Sequence, residues 1–150
     1  MPSYIDVVKH VGSDVPFFIN KQPATISGIG EIVVNLNDTR PIKVIIAVPK
    51  KGLSTKEIFE KYDEMKPKDT EKYYWNDISL FNDLWNTSVE IYPELNTIKQ
   101  NLEDRYNKNF FMSGSGSALF SLFEENEEIE EIDSEEFNLK YFSITKKIDC

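Results

Sequence analysis

The 150-residue sequence predicts an α+β domain in which helices pack on one face of an antiparallel sheet. Three observations lead there. The run IKVIIAV at 42–48 is continuous, apolar and β-branched, the pattern of a strand buried on both faces. Phe110–Met112 and Ala118–Phe123 flank SGSGS as the two arms of a hairpin, and NLKYFSITK at 138–146 alternates like a closing strand. The order is therefore strand, helices, strand-turn-strand, an acidic segment and a last strand.

Taken in order, YIDVVKHV at 4–11 places Ile5, Val8 and Val11 at helical spacing, but over barely two turns, so it reads as the tail of a longer element. GSDVPFF at 12–18 is a turn in which Pro16 holds Val15 away from helical angles. Short strands are expected at Phe17–Ile19, Ala24–Ser27 and Glu31–Leu36, with Gly28 and Gly30 allowing a bend between the last two. Pro49 ends the apolar strand. Ser54 with Glu57 three residues on is a capping-box pattern that starts a helix near Thr55. Thr55 and Phe59 share one face of that helix, with the Phe59 ring expected in the core. The polar stretch KPKDTEKYYWND precedes a helix expected over Ser79–Ile91, and Pro93 suits the first turn of another running to Tyr106.

With 40% hydrophobic and 13% aromatic residues, the chain has material for a core and is expected to form a soluble globular unit. No apolar run approaches the roughly 20 residues that span a bilayer. MPSYIDVVKH lacks the basic start and apolar stretch of a secretory signal, so a cytoplasmic location is expected, with no membrane partner. The only cysteine is Cys150 and the only histidine is His10, which argues against a disulfide framework and against a thiolate or histidine metal site. A net charge of −9 argues against nucleic acid as a partner, because phosphates are bound through Lys and Arg. The charge is unevenly spread. EENEEIEEIDSEE at 124–136 holds nine acidic and no basic residues, and without it the chain is neutral. Such a run is a solvated helix face or a loop, with an acidic docking surface as the alternative.

Three places suit chemistry. In SGSG at 113–116, Gly114 and Gly116 permit a tight turn that exposes amide N–H groups, and Ser113, Ser115 and the following Ser117 add hydroxyls, a combination that fits either a phosphate or a plain hairpin connection. Asp14 has the chemistry to take a proton from a hydroxyl, or simply to hold its turn. Thr55 and Phe59 offer a hydroxyl and a ring that suit a planar ligand.

GSDVPFF, PATISGIGE at 23–31, a strand ending in Val-Pro followed by LST and IF, NDL at 82–84 and MSGSGSALF at 112–120 occur in an order and spacing that resemble the GHMP kinase superfamily. GSDVPFF and SGIGE point within it to the branch that phosphorylates the 2-hydroxyl of 4-diphosphocytidyl-2-C-methyl-D-erythritol, in non-mevalonate isoprenoid synthesis. The resemblance covers residues from about 4 to 123, and leaves the acidic segment and last strand poorly matched. It implies a ferredoxin-like C-terminal kinase domain over residues 41–150, with residues 1–40 a remnant of the N-terminal domain that carries the catalytic motif. By the family pattern Asp14 is the catalytic carboxylate, Ile29, Thr55 and Phe59 line the cytidine pocket, and Ser113, Gly114, Ser115 and Gly116 border the transferred phosphate. Trp85 follows NDL where the family more often has a polar residue.

The resemblance also implies ATP and Mg²⁺ as a substrate complex in the full enzyme, held by a loop of the form PxxxGLGGGSS. These 150 residues contain no such loop, so the chain by itself is expected to bind no cofactor firmly and to be inactive. A separate N-terminal kinase domain is the partner this implies. The alternatives are a non-catalytic or partner-dependent domain and a piece of another GHMP kinase.

Overall fold

The computed structural model describes residues 15–20, 23–28, 32–36, 41–67, 72–76 and 78–146. The expected helix at 4–11, Asp14, Ile29 and Gly30 lie outside them. The chain divides into two compact units, residues 1–41 with 148–150, and Ile42–Lys147. In the first, α1 (Val15–Asn20) stands where a strand over Phe17–Ile19 was expected. Val15, expected to be held away from helical angles by Pro16, is itself helical, and Pro16 falls in the first turn. In the first turn of a helix the missing N–H of proline is one that has no partner anyway, and its fixed φ is already helical. Strands β1 (Ala24–Ser27) and β2 (Ile32–Asn35) pair antiparallel, as expected, and Leu36 closes the pair by donating its N–H to the Pro23 carbonyl at 2.8 Å.

The second unit is built on an antiparallel sheet of β3 (Ile42–Pro49), β6 (Phe111–Met112), β7 (Leu119–Glu124) and β8 (Leu139–Lys146), in the order β6-β7-β3-β8. Counted along these strands alone, this is the ferredoxin-like order read from the β6 edge. β3 is central because it is the most apolar segment of the chain, and it pairs with β7 on one side and β8 on the other. Its burial alternates: Ile45, Ala47 and Pro49 are fully covered, while Val44, Ile46 and Val48 on the other face are half-buried. The expectation of equal burial on both faces is thus corrected, since the helices pack over one face only.

Helix α2 (Thr55–Met65) starts where the capping box places it, with the Ser54 hydroxyl accepting the Glu57 N–H at 3.4 Å, and ends at Lys66 in the left-handed region. Ile58 is its buried residue. Phe59, expected in the core, is 51% exposed. Next comes a hairpin absent from the expectations, β4 (Tyr73–Trp75) and β5 (Ile78–Leu80), with Asn76 at its turn at φ 52°. The helix expected from Ser79 is therefore shortened to α3 (Trp85–Ile91). The segment Tyr-Tyr-Trp-Asn-Asp is a strand followed by turn residues that tolerate positive φ, and Ile78 and Leu80, two residues apart, share one face of the strand β5 that pairs with it. Helix α4 (Glu94–Tyr106) follows Pro93 and ends at Asn107, φ 50°.

Tyr92, Leu95, Ile98 and Leu102 from the α3–α4 region meet Ile45, Ala47, Leu119, Phe123 and Leu139 of the sheet, with Phe110 and Met112, in one buried cluster. Each such leucine or isoleucine contributes about 1.5–3 kcal/mol by leaving water. The acidic segment takes the place of a second covering helix. It runs from β7 to β8 as turns and irregular chain, pinned by half-buried Ile129, Ile132 and Phe137 against the core. Lys43 donates to the Glu127 carbonyl, Lys108 pairs with the Glu127 carboxylate, and Arg105 pairs with Glu130. The run is a docked strap rather than a helix. Among the described residues no helix is long and apolar enough to cross a membrane.

Candidate active site

The loop between β6 and β7 is closed by two backbone hydrogen bonds, Ser113 N–H to the Ala118 carbonyl at 2.9 Å and Gly116 N–H to the Ser113 carbonyl at 3.0 Å. The intervening N–H groups of Gly114 and Ser115 have no partner among the described residues. Gly116 sits at φ 85°, where side chains are strained, and a Cβ there would lie 2.7 Å from the Met112 sulfur and 3.0 Å from Leu53. Glycine is therefore demanded twice, by angle and by space.

Three neighbours hold this loop. Asn82 donates its side-chain amide to the carbonyls of Met112 and Gly114, each at 2.8 Å, while its Oδ1 accepts the Leu84 N–H at 2.9 Å. One side chain thus fixes the loop and starts the turn into α3. Ser117, buried, donates to the Lys51 carbonyl at 2.6 Å and ties the loop to the segment after β3. The Ser88 hydroxyl reaches the Ser115 carbonyl at 3.5 Å from beneath.

The same loop meets the start of α2, where the Thr55 and Ser115 hydroxyls are hydrogen-bonded at 2.8 Å. This contact brings together residues 60 apart in sequence that were singled out separately. The N-terminal end of α2 and its partial positive charge therefore border the loop's free amides. Phe59, one turn further on the same helix face, leaves its ring exposed. An exposed ring, a hydroxyl pair and unpaired amides can respectively stack on a flat ligand, hydrogen-bond it and accept an anion.

The charges nearby are already engaged. The Lys51 ammonium lies 4.7 Å from the centre of the Tyr92 ring. Burial, followed by the Glu94 charge, raises the Tyr92 hydroxyl above its ordinary value. Lys99 lies over Trp85 at 5.6 Å, and this half-buried ring packs on the core.

Thr55, Phe59, Ser113, Gly114, Ser115 and Gly116 thus fall on two adjoining elements, and the contact is made through Thr55 and Ser115. Asp14 and Ile29 lie outside the described residues. The residue that sequence reading missed is Ser88; Ser117 was noted only as a hydroxyl of the loop and Asn82 only as part of NDL, without the backbone ties they make. Beyond its place in NDL, Asn82 carried one local signal, an asparagine before a helix, the pattern of a side chain that bonds the backbone two residues on.

The family model for GHMP kinases C terminal matches residues 74–135. The chain is 35% identical over 114 residues to the 4-diphosphocytidyl-2-C-methyl-D-erythritol kinase of Protochlamydia amoebophila, covering 75% of this chain and 40% of that protein. It is 30% identical over 151 residues to the kinase of that name from Clostridium acetobutylicum, covering 91% and 50%, and 34% identical over 134 residues to that of Anaplasma phagocytophilum, covering 83% and 45%. The chain thus spans about half the length of these curated relatives. A crystal structure of 4-(cytidine 5'-diphospho)-2C-methyl-D-erythritol kinase superposes with a TM-score of 0.60 at 24% identity, over 81% of this chain and 48% of that one, a likeness of fold. With its sheet order, its SGSG loop and these relatives together, the chain belongs to the GHMP kinases and carries their C-terminal domain.

Proposed function

We propose that this chain supplies the C-terminal part of a cytoplasmic small-molecule kinase that transfers the γ-phosphate of ATP to the 2-hydroxyl of 4-diphosphocytidyl-2-C-methyl-D-erythritol. The observation that supports it most is the Thr55–Ser115 hydroxyl contact, which joins a helix start suited to a nucleoside with a loop suited to a phosphate. In this reading residues 1–40 carry the catalytic motif of the N-terminal kinase domain and 41–150 form the C-terminal domain. Phe59 stacks on cytosine, Thr55 hydrogen-bonds the nucleoside, and Ile29 keeps the substrate-binding role that the family resemblance implies. Ser113 and Gly116 shape the loop, and the free amides of Gly114 and Ser115 face the phosphates.

ATP supplies the phosphoryl group as its Mg²⁺ complex. Asp14 accepts the proton as the 2-hydroxyl oxygen forms its bond to the γ-phosphorus, and the bond from that phosphorus to the β,γ-bridging oxygen breaks to release ADP. Phosphoryl transfer depends on holding the phosphates in place, and the glycine-rich loop that does so in the family is not among these 150 residues. We therefore expect no turnover from the chain alone, and ATP binding from an N-terminal kinase domain that pairs with it.

The test is phosphoryl transfer to the cytidyl acceptor by the chain alone and by a chimera in which a relative's N-terminal half is fused ahead of it. The expected result is activity in the chimera only, abolished by Asp14→Asn. Turnover by the chain alone, or chimera activity indifferent to Asp14→Asn, overturns the reading.

A further inference from the structure

The carbonyls of Ser113, Gly114 and Ser115 each accept a donor. The Ser113 carbonyl takes the Gly116 N–H at 3.0 Å, the Gly114 carbonyl takes the Asn82 amide at 2.8 Å, and the Ser115 carbonyl takes the Ser88 hydroxyl at 3.5 Å. The peptides on either side of Gly114 are trans. A trans peptide is planar, with its N–H pointing opposite to its C=O. Each held carbonyl therefore aims the N–H that shares its peptide unit. The Ser113 carbonyl sets the direction of the Gly114 N–H, and the Gly114 carbonyl sets that of the Ser115 N–H. These are the two N–H groups without a partner among the described residues. Gly114 stands at φ 56°, the left-handed conformation found where successive N–H groups converge on an anion.

The two are fixed differently. The Gly114 N–H is aimed by the loop's own turn, through the Ser113–Gly116 hydrogen bond. The Ser115 N–H is aimed from outside the loop, by one side chain 32 positions earlier. That side chain is itself anchored, since Asn82 is half-buried and its Oδ1 accepts the Leu84 N–H at 2.9 Å where the chain turns into α3. Its other amide hydrogen goes to the Met112 carbonyl at 2.8 Å, so the group is held at three points. Without it the Gly114–Ser115 peptide is free to rotate, because glycine tolerates the backbone angles of either orientation. A rotated peptide presents its carbonyl oxygen where the N–H stood, and that oxygen repels an anion.

We propose that Asn82 is a positioning residue for the phosphate end of the site: by holding the Gly114 carbonyl it aims the Ser115 N–H at the diphosphate, and it touches no ligand atom itself. The inference rests on the function proposed above, in which this loop faces the phosphates.

The test compares the binding of cytidine diphosphate and of cytidine to the full chain and its Asn82 variants by NMR. The unaltered chain is expected to prefer the diphosphate by about tenfold or more. Asn82→Ala is expected to remove that preference and leave the cytidine affinity as it was, since α2 keeps Thr55 and Phe59. Asn82→Asp keeps an acceptor for the Leu84 N–H and offers the loop no donor, so it is expected to lose the preference too, and it serves where the alanine variant does not fold. In both ligand-free variants the Gly114 carbonyl carbon and the Ser115 amide are expected to shift, the signature of a turned peptide. A diphosphate preference retained in either folded variant, or an equal loss for cytidine, overturns the role of Asn82 alone. No preference in the unaltered chain overturns the phosphate reading of the loop, and this inference with it.

Discussion

Gly116 and Asn82 shape the SGSG loop in different ways, and each makes a separate prediction. Gly116→Ala forces a side chain into φ 85° and into the Met112 sulfur, so it is expected to cost about 2 kcal/mol and to move the loop. Urea unfolding measures the first, and loss of the Thr55–Ser115 contact in a structure of the variant shows the second. Asn82→Ala removes the donor to two loop carbonyls and the acceptor for the Leu84 N–H, at an expected cost of about 1–3 kcal/mol. An unfolding midpoint unchanged by Asn82→Ala would show that the loop holds its shape without it. The glycines of this loop were legible in the sequence because glycine marks unusual backbone angles. The tie from Asn82 was not, since it joins residues 30 and 32 positions apart. Phe59 was misplaced for a related reason. Helical spacing puts Thr55 and Phe59 on one face, but only packing shows that Ile58 is the residue turned inward.

Among the elements, the long ones were read most faithfully. β3, α2 with its cap, α4 and the closing β8 all carry strong periodicity or strong end signals. The short ones were not. The three-residue strands β4 and β5 exist through pairing with each other, which no local pattern states. The acidic strap was read as a charge run, and its anchors Ile129, Ile132 and Phe137 were hidden among carboxylates. Its attachment depends on pH. The hydrogen bond from Lys108, together with the Glu124 N–H and the Lys43 charge, lowers Glu127 below the ordinary value of 4.5 against the opposing effect of burial. A lowered folded-state pKa stabilises above the unfolded value and is lost as pH falls through the folded one. The strap is therefore expected to loosen below about pH 4.5. Amide hydrogen exchange at Ile129 and Ile132 should rise in that range. Glu127→Gln should already show the faster exchange at neutral pH and change less on acidification.

For the whole molecule, an antiparallel sheet with helices on one face was readable from element order, because a central apolar strand and a hairpin leave few ways to close a sheet, while the ferredoxin-like strand order came from the family resemblance. How far the candidate site extends beyond the described residues was not readable in that way. The motif around Asp14 suggested it through family resemblance, and the relatives are about twice as long as this chain. The second unit contributes the part that the structure does describe, an exposed ring and a hydroxyl on α2 against the free amides of the SGSG loop. The claim that these form one nucleoside diphosphate site is tested most directly by titrating cytidine diphosphate into the isotopically labelled chain. The account predicts that the amides of Thr55, Phe59, Gly114 and Ser115 shift together on a single binding curve, which Thr55→Val and Phe59→Ala weaken. Absence of shifts at these positions, or a helix and loop that respond on separate curves, would contradict it.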